Sequence, residues 1–126
     1  MITENEISTI VFDSALRVHR ALGPGLLESA YEECLFYELK KTGLLIERQK
    51  PLPLNYEGVR MNIAYRVDII IENKVILELK VVEALNDVHL AQILTYLKLS
   101  ECKLGMLINF NVSLLKNGVR RVVNKL

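Results

Sequence analysis

Apolar residues recur every three or four positions in the first part of the chain, the spacing that places them on one face of an α-helix. Thr3 and Glu6 have the spacing of a capping box, after which the pattern predicts a helix over about residues 5–22. Gly23-Pro24-Gly25 ends this pattern, because two glycines and a proline disfavour continued helix. A second helix, ending near Gly43, is predicted by apolar residues at helical spacing: Leu27, Ala30, Tyr31, Cys34, Leu35 and Leu39.

From Leu44 onward the apolar period changes to that of β-strands. Leu52, Leu54 and Tyr56 alternate with other residues, and the prolines in this segment favour a strand at the edge of a sheet. Two stronger strands are predicted over 63–71 and 75–82, joined at residues 72–74. Their centres are apolar without alternation, which indicates central strands that are covered on both faces.

The last third of the chain predicts one more helix and two more strands. Asn86 or Asp87 can cap the helix, whose apolar face comprises Leu90, Ile93, Leu94 and Leu97. A strand at about 103–110, a loop at Asn117-Gly118 and a short strand at 119–124 follow. This order predicts an α/β fold, and the absence of repeats or linkers predicts one domain over residues 1–126.

Composition narrows the class of protein only a little. The chain has 126 residues, 51% of them hydrophobic, enough for a core, and its net charge of +1 means that any attraction for phosphate must come from a local patch. The apolar runs are far shorter than the ~20 residues of a membrane span, and the N-terminus is acidic, so we expect a cytoplasmic protein. Cys34 and Cys102 lack metal-ligand spacing, and we expect reduced core thiols without a disulfide.

Three charged residues interrupt the two apolar strands. Asp68 lies on the first, and Glu78 and Lys80 lie two positions apart on the second, where their side chains point to the same face. If the connection has three residues centred on Asn73, Asp68 falls opposite Glu78 and all three share one face. A two-residue connection would shift the register by one and separate them unless a bulge restores it.

Two adjacent carboxylates repel each other unless a cation lies between them, and oxygen ligands with open water positions suit Mg²⁺. A neighbouring lysine can orient or help to deprotonate a metal-bound water, so the trio outlines a phosphodiesterase site. The alternative is that Glu78 and Lys80 are solvent-facing strand residues and that Asp68 pairs with Arg66 or Lys80. Charges in strands that otherwise read as buried favour the site.

Two further groups of residues are candidates for the same site. His89, Gln92 and Tyr96 form a polar stripe on the third predicted helix, either as a solvated face or as substrate-binding residues. Glu28 and Tyr31 lie at the start of the second helix. Glu28 is either a first-turn acid favoured by the helix dipole or a catalytic acid, and Tyr31 is either a core residue or a substrate contact.

The segments at 22–31, 65–68, 78–80, 89–96 and 105–110 together resemble the GxxExxY protein family of the PD-(D/E)xK nuclease superfamily. The resemblance covers nearly the whole chain and implies a restriction-endonuclease-like core with a central mixed β-sheet flanked by helices. It further implies that Asp68 and Glu78 are metal ligands, that Glu28 supports the metal and that Lys80 is the water-orienting base. Gln92 and Tyr96 would correspond to a QxxxY element. Val67 stands where the superfamily name has proline.

The leading hypothesis is therefore a nuclease that depends on Mg²⁺ or Mn²⁺ and acts on DNA or RNA, with a protein partner or a homodimer as further expectations. A non-catalytic module that binds nucleic acid or protein on the same fold, and a small homo-oligomeric scaffold, are the alternatives. Eight basic residues are either phosphate contacts or, for most of them, part of a solvated surface: Arg48, Lys50, Arg60, Arg66, Lys116, Arg120, Arg121 and Lys125.

Overall fold

The computed structural model describes all 126 residues and contains three α-helices and five β-strands. In chain order these are α1 (Glu4–Leu22), α2 (Glu28–Lys40), β1 (Ile46–Tyr56), β2 (Val59–Ile71), β3 (Val75–Lys80), α3 (Asp87–Ser100), β4 (Leu104–Asn109) and β5 (Val119–Val123). A short 3-10 helix, Leu115–Gly118, precedes β5. The order helix, helix, three strands, helix, strand, strand is confirmed.

The ends of the helices follow local sequence signals. The Thr3 hydroxyl accepts a hydrogen bond from the Glu6 N–H, and the Glu6 carboxylate accepts one from the Thr3 N–H, which is the predicted capping box. Gly23 ends α1 with a φ of 69°. The second helix ends at Lys40, and Gly43, with a φ of 80°, lies in the turn beyond it. Asn86 caps α3 through the His89 N–H.

The five strands form one sheet in the order β1-β2-β3-β4-β5. Only β3 and β4 run parallel, with α3 as the connection between them, so the sheet is mixed. The proline-containing β1 is an edge strand, as predicted, and the residues Val75–Leu79 of the central β3 are all buried. An α/β fold with a mixed sheet flanked by helices is confirmed.

Two hydrophobic clusters cover the two faces of the sheet. The larger cluster includes residues of α1 and α2, and the smaller one packs α3 against the other face. Gly105 on β4 allows this close packing, because a Cβ there would lie 2.8 Å from the Ile93 side chain. Cys34 packs against the first cluster and Cys102 lies in the second, both as free thiols. None of the helices combines the length and the hydrophobicity needed to cross a membrane.

The β1–β2 hairpin extends beyond the rest of the sheet, because β3 pairs only with residues 69–71 of β2. Val67 and Ile69 are two positions apart on β2, yet they pack into different hydrophobic clusters. Asp68 lies between them, and the paired strand positions on β1, Arg48 and Lys50, flank Gln49, whose φ is 51°. The regular alternation of side chains between the two faces of the hairpin is therefore broken at Asp68.

Candidate active site

Asp68 and Glu78 lie opposite each other on β2 and β3, one position beyond the last paired residues of these strands. The ladder between the strands consists of three pairs: Ile69–Leu77, Ile70–Ile76 and Ile71–Val75. The chain reverses within three residues because Glu72 and Asn73 adopt left-handed φ values of 53° and 52°. This is the register that the three-residue connection predicts, and it is confirmed.

Each of the two carboxylates bonds to the backbone of the opposite strand. The Asp68 N–H donates to Glu78 Oε2 at 2.8 Å, and the Leu79 N–H donates to Asp68 Oδ2 at 2.8 Å. Side-chain oxygens thus replace the backbone acceptors at the point where the strands separate. The other oxygen of each carboxylate accepts no hydrogen bond and retains solvent-accessible area, so it is free to bind another group.

Burial and mutual repulsion make this carboxylate pair hard to ionise. Burial, followed by the charge of Asp68, raises the pKa of Glu78 to about 8. Burial also raises the pKa of Asp68 to about 6, and the charges of Glu32 and Glu28 add to this shift, while the bond from Leu79 opposes it. A cation between the two groups would favour their charged forms, so the pair is suited to hold one.

Lys80 lies beside the carboxylates without forming an ion pair. Its charge lowers the pKa values of Asp68, Glu78 and Glu28, although burial dominates the net shift of each group. No ion pair within 4.0 Å involves Asp68, which contradicts the alternative that Asp68 pairs with Arg66 or Lys80. The Lys80 Nζ instead donates to Gln92 Oε1 over 3.4 Å. The ammonium therefore remains available to a water or a phosphate.

The stripe on α3 divides into two parts. Gln92 accepts a hydrogen bond from Lys80, and Tyr96 lies within electrostatic range of the carboxylates: burial first, and then the charges of Glu78 and Asp68, raise the pKa of Tyr96. The Tyr96 ring also packs against Tyr65 of β2 at a centroid distance of 5.7 Å. His89 has a structural role, since its Nδ1 accepts from the Asn86 N–H at 3.2 Å in the helix cap. The structure gives it no contact with the carboxylates.

Glu28 is the first residue of α2 and lies within electrostatic range of the same charges. Partial burial of its carboxyl raises its pKa, the charge of Lys80 lowers it, and the charge of Glu32 raises it further. In turn, the charge of Glu28 contributes to the raised pKa values of Asp68 and Glu78. The loop before α2 therefore brings a third carboxylate into electrostatic range of the pair.

Tyr31 does not contact the surface, and the prediction that it binds substrate is wrong. Its side chain is fully buried and stacks on Phe110 at a centroid distance of 4.5 Å. Its hydroxyl donates to the Gly23 carbonyl at 2.5 Å and accepts from the Leu26 N–H at 3.1 Å. A large apolar ring gains free energy by burial, and the loop backbone satisfies its hydroxyl. Tyr31 thus holds the loop from which Glu28 begins the helix.

Two residues near the site are absent from the set that the sequence predicts. Glu32, one turn after Glu28 on α2, is only 8% exposed, and its charge raises the pKa of Asp68. Gln49 lies opposite Asp68 on β1, and its Nε2 donates to Glu32 Oε1 at 2.8 Å. The four-residue spacing from Glu28 was the available signal for Glu32. No sequence signal marks Gln49, because glutamine rarely adopts a left-handed φ.

The donor set fits a hard divalent cation that keeps most of its water ligands. No group of three histidine, cysteine or acidic side chains lies within ligand distance of a common point, and the candidate oxygen donors are those of Asp68 and Glu78. Oxygen-only donors and few protein ligands are typical of Mg²⁺ sites. The pair lines none of the four cavities of the molecule.

Comparison with known proteins defines the class to which this fold and site belong. The family model of the PD-(D/E)XK nuclease superfamily matches residues 5–122. The chain therefore belongs to this superfamily, whose members are generally nucleases that use divalent metals.

A solved structure described as the crystal structure of SSO0001 is similar at 18% sequence identity with a TM-score of 0.49. The match covers 92% of this chain and 66% of that chain, so this chain spans just under two thirds of its length. No curated protein matches.

Proposed function

We propose that this protein is a phosphodiesterase that depends on Mg²⁺ or Mn²⁺ and cleaves DNA or RNA. The observation that carries the proposal is the Asp68–Glu78 pair, in which two backbone hydrogen bonds of 2.8 Å hold both carboxylates beside Lys80. Membership in a superfamily of nucleases agrees with this assignment. The two oxygens left without hydrogen bonds are the proposed metal ligands, and Glu28 supports them from α2.

The remaining chemistry belongs to Lys80 and its neighbours. When bound, the metal lowers the pKa of a water and offsets negative charge on the phosphate. Lys80 orients the attacking water and stabilises its deprotonated form, and Gln92 Oε1 accepts a hydrogen bond from the ammonium over 3.4 Å. Tyr96 closes the site on the α3 side through its contact with Tyr65.

The carboxylate pair lies outside the cavities of the molecule, which suits a polymeric substrate better than an enclosed small molecule. Among the eight basic residues named above, Arg48 and Lys50 are engaged in ion pairs and hydrogen bonds, and Arg121 binds Asn5. Arg66 is exposed, forms no ion pair and lies two residues before Asp68 on β2. We therefore assign contact with the substrate backbone to Arg66, with the half-exposed Tyr65 ring beside it.

We also propose that the chain belongs to the GxxExxY branch of the superfamily. Gly25, Glu28 and Tyr31 have the spacing of that motif. Gly25 has a φ of 94°, which favours glycine, and Tyr31 holds the same loop through Gly23 and Leu26. In this interpretation the motif positions one glutamate, Glu28, at the start of a helix.

A non-catalytic nucleic-acid-binding module on the same fold is the second candidate function. It is favoured by the absence of three converging metal-binding side chains, because a binding module needs no complete metal site. The two candidates differ in one measurable respect. A nuclease turns over its substrate when the metal is added, whereas a binding module retains it intact.

The test is incubation of the purified protein with end-labelled single-stranded DNA, double-stranded DNA and RNA, each with Mg²⁺, Mn²⁺ or EDTA. We expect cleavage of at least one substrate with a divalent cation and none in EDTA. Asp68→Asn, prepared in parallel, should abolish cleavage. Equal cleavage by the variant would assign the activity to a contaminant. Tight binding without cleavage under all conditions would support the binding module.

A further inference from the structure

Glu32 is a buried acid outside the carboxylate pair to which the proposed mechanism gives no part. Its side chain lies on the same face of α2 as Glu28, one helical turn later, and the residue is 8% exposed. Burial of a carboxylate is costly unless its oxygens are paired. Both oxygens of Glu32 are paired, and both partners come from consecutive residues of β1.

The contacts of Glu32 connect α2 to the strand position that faces Asp68. Its Oε1 accepts from Gln49 Nε2 at 2.8 Å, and its Oε2 accepts from Arg48 Nη2 at 3.0 Å. The Arg48 guanidinium lies over the Phe36 ring at 4.9 Å, again on α2. Through these contacts, the helix that carries Glu28 is tied to the strand beside the carboxylate pair.

Gln49 is the unusual member of this group. Its neighbours pair with Ile69 and Val67, so Gln49 stands opposite Asp68, but the two form no ladder pair. Its φ of 51° lies in the left-handed region, which a residue with a Cβ occupies only when the surroundings hold it there. The hydrogen bond from the Gln49 side chain to Glu32 is the contact that can hold it.

We propose that Glu32 is a positioning residue for the metal site. It acts through Gln49 to fix the strand opposite Asp68 and to hold α2 in place relative to β2. The proposal rests on the proposed metal-dependent function. Neither residue touches the metal or the substrate in this scheme. They set the separation between Glu28 on α2 and the pair on β2 and β3, much as second-sphere hydrogen bonds orient metal ligands elsewhere.

The chain contains a matched control for Glu32. Glu33 accepts from the same Arg48 Nη2 at the same distance of 3.0 Å, but its side chain is 71% exposed and has no bond to Gln49. Glu33→Gln therefore removes one negative charge and one bond to Arg48 without disturbing Gln49. Gln49→Ala instead removes the hydrogen bond from Gln49 to Glu32 and leaves every charge in place.

The experiment measures Mn²⁺ binding by isothermal titration calorimetry for the parent, Glu32→Gln, Gln49→Ala and Glu33→Gln. We expect Glu32→Gln and Gln49→Ala to weaken Mn²⁺ binding by about tenfold or more, as for other residues that orient metal ligands. Glu33→Gln should remain within about twofold of the parent. Equal weakening of Mn²⁺ binding by Glu33→Gln, or parent-like affinity in Gln49→Ala, would overturn the proposal. Any effect of Glu32 on Mn²⁺ binding would then come from its charge alone.

Amide hydrogen exchange gives a second readout that needs no metal. The N–H groups of Asp68 and Leu79 are protected by the carboxylate pair itself, so their exchange should quicken in Glu32→Gln and Gln49→Ala at unchanged circular dichroism. Unchanged exchange at both amides would overturn positioning. If the parent binds no Mn²⁺ while both amides respond as expected, the metal-dependent function fails and the positioning role of Glu32 stands.

Discussion

Replacing Glu78 by glutamine should stabilise the metal-free protein at neutral and alkaline pH. Glu78 is 5% exposed, and burial together with the charge of Asp68 raises its pKa from 4.5 to about 8. Between pH 4.5 and about pH 8, Glu78 is protonated in the folded state but ionised in the unfolded chain. The stability from this proton is fully present below pH 4.5 and is lost as the pH rises through 8, a total of up to about 5 kcal/mol at ~1.4 kcal/mol per pKa unit.

The glutamine side chain removes this pH dependence and keeps the local hydrogen bond. Its amide oxygen can still accept from the Asp68 N–H, as Glu78 Oε2 does at 2.8 Å, but the amide cannot ionise. The free energy of unfolding, measured by urea denaturation in EDTA from pH 5 to pH 9, should therefore fall with pH more steeply in the parent than in the variant. The advantage of Glu78→Gln should grow to about 2–5 kcal/mol at the alkaline end.

The exposed Asp13 of α1 supplies the control, because Asp13→Asn removes a carboxylate without affecting the pair. Mg²⁺ should narrow the difference in stability between parent and variant, since a ligand that binds only the folded state at 100 times its Kd adds about 2.7 kcal/mol. The parent should show this gain and Glu78→Gln little of it. A parent with constant stability between pH 5 and pH 8, or a variant with the same slope, would refute the inference that the pair is destabilising without a cation.

Three further predictions test individual residues. Lys80→Ala should lower the cleavage rate by ~10²- to 10⁴-fold and leave the fold intact by circular dichroism, because its ammonium forms no ion pair; a parental rate would contradict its role. Tyr31→Phe should lower the free energy of unfolding by about 1–3 kcal/mol through loss of both loop hydrogen bonds, as urea denaturation would show, while stacking on Phe110 persists. Arg66→Gln should raise KM more than it lowers kcat, whereas Arg120→Gln on β5, at the far edge of the sheet, should change neither constant.

Much of the fold was predictable because its signals are local. The Thr3–Glu6 capping box, the break at Gly23 and the change from helical to strand periodicity after Leu44 each depend on residues a few positions apart. The prediction of central strands was also reliable, because continuous apolar residues in β3 meet the requirement of burial on both faces. For the same reason, the acidic and basic residues that interrupt these strands are conspicuous in the sequence alone.

The candidate site was predictable only in part. Asp68, Glu78 and Lys80 were identified from their positions on two strands, but whether they share a face depends on the length of the connection between the strands. Left-handed φ values at Glu72 and Asn73 decide that length, and neither residue type requires them. The register of β2 and β3 is therefore a property of the folded chain, selected by the packing of both strands between two hydrophobic clusters.

The sequence by itself determined the order of the elements, the caps of the helices and the charged residues placed on buried strands, because near neighbours encode these features. Only the tertiary structure decided that Tyr31 holds a loop, that Gln49 faces Asp68 and that Gln49 bonds to Glu32 on α2. These roles depend on contacts between residues that lie far apart in the chain, as in the bond from Gln49 to Glu32, 17 positions away. Such contacts arise when helices and strands pack together, and no periodicity along the chain records them.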